Sequence, residues 1–276
     1  MVLRQIVQSM KLKSTLVVAA GIALGLLLAS QKMTVPLDKF MLLYLALGVG
    51  CSGSAQALNA LVDWRIDKIE HPHRAIPLGR IKPRRLYYYM CAMSMAVLFA
   101  YPLGFKVFVL ALAGLFIGLI YSIPPLYLGR RWQTSYLLLS LGYVSIPMFA
   151  GWLAIRELNP LIVETTAYFT LIALVIAPLR DCCDVKGDSL YGKKSLPVKL
   201  GINKTLKLVL FLASAVSLLY LLHNPAISSY LLYVILFSLP LLVYIMKNPA
   251  GKKNFTLLEG YSSITVLGFG VWWLMC

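Results

Sequence analysis

Apolar runs of roughly membrane-crossing length alternate along the chain with short polar and charged stretches. The runs lie near 14–31, 39–58, 86–104, 106–123, 134–154, 160–180, 206–222, 228–246 and 256–276. A helix needs about 20 predominantly apolar residues to cross the hydrocarbon core. The pattern therefore predicts an all-α membrane protein with nine transmembrane helices. The stretch 86–123 is one apolar block, interrupted only around Pro102, Gly104 and Lys106. A single helix of that length would overrun the bilayer, so the block divides there. Two polar segments, about 59–85 and 181–205, are longer than a connection requires, and long loops in compact proteins are often functional. They follow the second and sixth spans, the same place within each four-span half, which hints at an internal duplication.

Composition agrees with this reading. The 276 residues are 60% hydrophobic and 13% charged, about half the charged fraction of a soluble domain. One compact bundle, residues 1–276, is the expected domain organisation. The first apolar run follows Arg4, Lys11 and Lys13 and would suit a signal peptide taken alone. The equally apolar runs behind it favour a retained span.

The net charge of +16 would suggest nucleic acid in a soluble protein. Here the basic residues sit in the loops. With the N-terminus in the cytoplasm, 22 of the 26 Lys and Arg fall on the inner side, leaving Lys32, Lys39, Lys106 and Arg156 outside. That is the positive-inside pattern. It predicts an integral membrane protein with a cytoplasmic N-terminus and cytoplasmic long loops, and it leaves no nucleic-acid partner to invoke. The five cysteines show neither zinc-ligand spacing nor a disulfide framework. They read as small apolar helix residues.

The acids change the picture. Six of the ten, Asp63, Asp67, Glu70, Asp181, Asp184 and Asp188, fall in the two long segments. Asn59, Asp63 and Asp67 are four apart and share one face of a helix. Asp181, Asp184 and Asp188 follow i, i+3, i+7, again one face. Like charges this close repel, and a membrane surface raises the cost of keeping them ionised. A divalent cation relieves both penalties. Carboxylate oxygens suit Mg²⁺, which takes one or two carboxylates and lets substrate phosphates complete its octahedron. Set against this is the plain alternative of solvated loop charges paired with nearby Lys and Arg, which two single-face clusters make the weaker reading. His71 and His73, without further soft ligands, read as loop residues.

The segment Asn59-Ala-Leu-Val-Asp63-Trp-Arg-Ile-Asp67 resembles the NxxxDxxxD motif of the UbiA-superfamily intramembrane prenyltransferases. His71-Pro-His-Arg74-Ala-Ile-Pro-Leu-Gly-Arg80 looks like its continuation. Arg180-Asp181-Cys-Cys-Asp184-Val-Lys-Gly-Asp188 resembles the family's DxxDxxxD motif, running on into Gly192-Lys-Lys-Ser-Leu-Pro197. Tyr121-Ser122, before Pro124 and Pro125, is similar to a further recurring pair. One departure is Ala60, where many relatives carry Asp; it would face away from the Asn59–Asp63–Asp67 stripe. The resemblance implies nine helices in a ring around a central cavity, capped by cytoplasmic loop helices. It also implies transfer of a prenyl group from an isoprenoid diphosphate to a lipid-soluble acceptor with Mg²⁺.

On that footing, two Mg²⁺ ions would bridge the carboxylate faces to the diphosphate, one held by Asn59, Asp63 and Asp67. The other would lie at Asp184 and Asp188, with Asp181 nearby. Arg74, Arg130, Arg131, Lys186 and Lys193 are the candidate diphosphate-binding cations, with Ser122 beside the substrate. Tyr121 is the candidate aromatic facing the prenyl cation. Tyr87, Tyr88 and Tyr89 read as interfacial anchors. The second motif's tail looks most like the archaeal ether-lipid subfamily, which acts on geranylgeranylglyceryl phosphate. The chlorophyll synthase group, with a chlorin acceptor, and quinone- or tocopherol-type aromatic prenylation are rivals. A terpene cyclase would ionise the diphosphate without an acceptor. A transporter would keep its ionisable residues near the bilayer midplane, whereas here they lie at one face.

Overall fold

The computed structural model describes residues 12–31 and 34–223. Within them lie α1 (Leu12–Ser30), α2 (Leu37–Val62), α3 (Trp64–Glu70), α4 (Pro83–Leu103) and α5 (Phe105–Ser122). There follow α6 (Trp132–Leu153), α7 (Pro160–Asp181), α8 (Val185–Leu190), α9 (Leu196–Leu200) and α10 (Ile202–His223). Six helices are long and apolar enough to cross a membrane, and Ser14–Ser30 is a shorter apolar helix in the same series. These match the first seven expected spans. The expected spans 228–246 and 256–276 lie outside the described residues. Among the described residues every regular element is helical, apart from one isolated bridge between Arg131 and Lys194.

The apolar block divides where expected, at Gly104 between α4 and α5. Large apolar side chains that face outward, such as Tyr101, Phe105, Phe116, Phe211 and Leu219, are those a lipid environment tolerates. Inside the bundle, small residues let backbones meet. A side chain on Gly25 of α1 would collide with the Met148 carbonyl of α6, and a Cβ on Gly151 of α6 would stand 2.6 Å from the Ile22 carbonyl. Close approach through small residues is how helices associate where hydrophobicity cannot drive them together. Trp152, Met148, Leu24 and Leu28 fill the core beside this crossing.

The two ends of the bundle differ. At one end Lys39 donates to the Ala154 carbonyl at 2.7 Å, Arg156 meets Gln31 at 3.0 Å, and Lys106 pairs with Glu157. Three of the four basic residues assigned outside thus gather together. At the other end the segments after α2, α5 and α7 converge. Backbone bonds from Lys194 N to Arg130 O (2.8 Å) and from Trp132 N to Lys194 O (3.2 Å) tie two of them. Both α2 and α6 widen into π-helical turns, at Tyr44–Gly53 and Leu141–Ser145. Such turns concentrate at functional sites, and both border the same internal space.

Candidate active site

Asp63 sits at the joint between α2 and α3, with φ −93° and ψ 17°. The four-residue hydrogen-bond step continues through it, from Asp63 N to Asn59 O (2.8 Å) and from Asp67 N to Asp63 O (2.9 Å). Asn59, Asp63 and Asp67 therefore stay on one face, as their spacing predicts. Asn59 Nδ2 donates to Asp63 Oδ2 at 2.6 Å. The Tyr127 hydroxyl donates to the other Asp63 oxygen. Tyr127 holds left-handed backbone angles (φ 36°, ψ 52°), uncommon for a bulky residue and a mark of a constrained site. Asp67 is buried and paired with Arg74.

The second segment repeats the plan. Asp184 stands at the start of α8 with φ −113° and ψ 13°, and Asp188 follows one turn later. Gly192, at φ 71°, turns the chain back past the end of α8, a conformation glycine adopts without penalty. Lys193 consequently reaches both Asp181 (3.1 Å) and Asp188 (3.0 Å). His71, at the end of α3, meets Asp184 at 3.0 Å. Glu70 Oε1 accepts from Gly187 N at 2.5 Å, clamping α3 to α8 across 117 positions of sequence.

Electrostatics separate the second segment's acids. Burial disfavours the charge on Asp184, but His71, Arg180 and Lys193 outweigh it and hold its carboxyl down at about 2. Burial, with Asp181 and Asp184 as like charges, overcomes Lys193 and lifts Asp188 to about 6. Lys193 is half-buried, which works against its charge, yet Asp181 above all keeps its ammonium charged.

Two cavities meet here. A polar one is lined by Asn59, Asp63, Asp67, His71, Arg74, Tyr127, Arg130, Asp184, Asp188 and Lys193. A mostly apolar one lies deeper, between Cys51, Ala55, Gly114, Ile117, Leu138 and Leu139. Asn59, Tyr121 and Arg180 line both.

Nine of the expected site residues reach the polar cavity: Asn59, Asp63, Asp67, Arg74, Tyr121, Arg130, Asp184, Asp188 and Lys193. Four do not line it. Asp181 lies behind Lys193, held also by the Tyr136 hydroxyl at 2.9 Å. Lys186 is exposed. It stands two residues after Asp184, roughly 200° around the helix, so it faces away. Arg131 is exposed and extended (φ −106°, ψ 126°) and lies outside the cavity lining, whereas its neighbour Arg130, also exposed, lies over the Tyr127 ring at the cavity edge. Ser122 is fully buried, its hydroxyl without a partner among the described residues.

Sequence reasoning missed His71, Tyr127, Arg180 and Glu70. His71 read as a loop residue, and Arg180 was absorbed into the topology count. Its position directly before Asp181 was the available signal. Tyr127 lies six residues beyond Tyr121, and nothing local pointed it at Asp63.

The donor set suits a hard divalent cation, because oxygens dominate it: four carboxylates and one amide on the polar wall, with His71 as the one imidazole. Among the described residues no three His, Cys, Asp or Glu side chains converge tightly enough to chelate an ion by themselves. Each cluster instead leans on Arg74, His71 or Lys193. A cation would share these oxygens with phosphate, the ordinary manner of Mg²⁺.

The description "UbiA prenyltransferase family" matches residues 17–262. The chloroplastic chlorophyll synthase of Oryza sativa subsp. japonica is 31% identical over 163 residues, covering 55% of this chain and 43% of that protein. The chain thus spans less than half the length of that relative. Digeranylgeranylglyceryl phosphate synthase of Pyrococcus horikoshii is 27% identical over 198 residues, covering 68% of this chain and 66% of that one. The solved structure of a UbiA homolog from Archaeoglobus fulgidus bound to GPP and Mg²⁺ superposes with a TM-score of 0.76. It is 16% identical and covers 99% of this chain and 100% of that one, a likeness of fold. The paired acidic segments at one end of an apolar helical bundle and the match over 17–262 lead to one conclusion: this integral membrane protein belongs to the UbiA prenyltransferase family.

Proposed function

We propose that the protein transfers a prenyl group, geranylgeranyl for preference, from its diphosphate to a lipid acceptor in a Mg²⁺-dependent reaction. The observation that carries this is the junction of the two cavities at Asn59, Tyr121 and Arg180. A charged chamber opening into an apolar one fits a molecule with a diphosphate head and a hydrocarbon tail.

Asn59, Asp63 and Asp67 on one side, and Asp184 and Asp188 on the other, are the residues to hold two ions. Bound there, Mg²⁺ supplies Lewis acidity and a template for the diphosphate. Arg74, Arg130, Arg180 and Lys193 face the same space. They stabilise the charge that grows on the diphosphate as the allylic C–O bond breaks, which favours the transition state over the ground state. The deeper chamber keeps water from the prenyl cation, and the Tyr121 ring at the junction offers it a π face. Asp181 acts through Lys193.

The positive-inside distribution supports a cytoplasmic position for this end of a nine-span bundle. The favoured acceptor is geranylgeranylglyceryl phosphate, in keeping with the Pyrococcus horikoshii relative. The plant chlorophyll synthase relative supports a chlorin acceptor as the second reading. The test is purified protein with labelled geranylgeranyl diphosphate, Mg²⁺ and a panel of acceptors. Label entering lipid only with glyceryl phosphate derivatives is the expected result. Transfer only to an aromatic or chlorin acceptor overturns the acceptor, and a cyclised product without acceptor overturns transfer itself.

A further inference from the structure

The apolar chamber contains a buried amide that a hydrocarbon tail does not need. Gln56 lines it and is 4% exposed. Its Nε2 donates to Ser52 Oγ at 2.8 Å. Its Oε1 is buried and has no hydrogen-bond partner among the described residues. A buried carbonyl oxygen left without a donor forfeits its hydration with nothing returned. A prenyl chain cannot return it, having no N–H or O–H, and an ionised diphosphate carries acceptors only.

Position narrows the role. Gln56 lies three residues before Asn59 on α2, hence on the same face. At 1.5 Å per residue it stands about 4.5 Å deeper. Asn59 lines both cavities. Gln56 is therefore one turn beyond the head chamber, at the depth where the first carbon of a prenyl diphosphate would lie.

We propose that Gln56 Oε1 accepts a hydrogen bond from a hydroxyl of the acceptor substrate and holds its oxygen beside the reacting carbon. The acceptor class is then an alcohol. A carboxylate would set its negative oxygen against the carbonyl oxygen and leave both unsatisfied. This rests on the prenyl-transfer reading. The hydroxyl oxygen bonds to C1 as the C1–O bond to diphosphate breaks. The bonding pair leaves with the diphosphate; once the new O–C1 bond has formed, the acidified hydroxyl proton passes from its hydrogen bond with Gln56 to an oxygen of the released diphosphate. Gln56 takes no proton and only orients the nucleophile.

The test uses the full chain in lipid nanodiscs with two probes, geranylgeranylglyceryl phosphate and its deoxy analogue, in which hydrogen replaces the hydroxyl. Wild type binds the hydroxyl probe about tenfold more tightly, one hydrogen bond's discrimination. Gln56→Leu weakens the hydroxyl probe about tenfold, to the deoxy value. Gln56→Asn, which withdraws the carbonyl by one methylene, does the same. Both variants bind geranylgeranyl diphosphate with Mg²⁺ as wild type does, which also reports an intact fold. Equal binding of the two probes by wild type overturns the proposal. So does discrimination that persists in Gln56→Leu or Gln56→Asn, or donor affinity that falls in parallel in both variants. Discrimination in wild type that both variants lose, with no transfer by wild type, upholds the Gln56 contact and refutes prenyl transfer.

Discussion

In both motif segments an Asp stands at a helical joint, Asp63 at φ −93°, ψ 17° and Asp184 at φ −113°, ψ 13°. Each is followed one turn later by a more deeply buried Asp, 5% exposed for Asp67 and 1% for Asp188. Their charges are balanced differently. In the first segment Asp67 has Arg74, and Asp63 has the neutral donors Asn59 and Tyr127. In the second, Asp181 and Asp188 share Lys193, and Asp184 borrows His71 from the first segment. Three carboxylates in the second segment thus depend on Lys193, Arg180 and a histidine from outside the segment. The same backbone plan gives one segment nearly self-sufficient in charge and another that leans on its counterpart. Cation demand is greatest in the second, and the first helps to meet it.

Removing the joint residues tests the shared plan and carries the largest effect. Asp63→Ala and Asp184→Ala should each cut turnover by on the order of 10³-fold, with expression and folding retained. Near-wild-type turnover in either variant breaks the metal assignment. Lys193→Met separates the segments, because it unbalances only the second. Turnover should fall about 10²-fold, with the Mg²⁺ concentration for half-maximal rate raised. A fall with unchanged Mg²⁺ dependence would show that Lys193 serves the diphosphate alone. Glu70→Ala loosens the clamp between α3 and α8, as a change in an outer-shell partner does. About tenfold is expected in Mg²⁺ affinity, and no change would mean the segments hold their spacing without it. Lys186→Ala and Arg131→Ala, outside the cavity, should stay within about twofold of wild type. A large loss in either would place the diphosphate elsewhere.

Much of this was legible in the letters. Runs of apolar residues located the six membrane-length helices and the shorter Ser14–Ser30 helix, including the division at Gly104, because hydrocarbon thickness fixes helix length. The four-residue spacing of Asn59, Asp63 and Asp67 located the acidic face, because α2 continues through Asp63 with its ladder intact. The rest depended on contacts between distant segments. His71 becomes a site residue only because α3 packs on α8, through Glu70 and Gly187. Tyr127 reaches Asp63 across 64 positions, from a left-handed turn that spacing does not announce. Lys186 and Arg131 share charge and neighbourhood with true cavity residues and differ only in which way they point. Gln56 was readable as the amide one turn before Asn59, but that its oxygen lacks a donor is a fact of packing.

Manganese offers the most direct measurement, since Mn²⁺ can replace Mg²⁺ and be counted by electron paramagnetic resonance. Titrate wild type, Asp63→Ala and Asp184→Ala with Mn²⁺, with and without geranylgeranyl diphosphate. If both acidic segments clasp ions around one diphosphate, wild type takes up Mn²⁺ tightly only with the diphosphate, and each variant loses that uptake. Diphosphate-dependent uptake that survives unchanged in either variant would contradict the account.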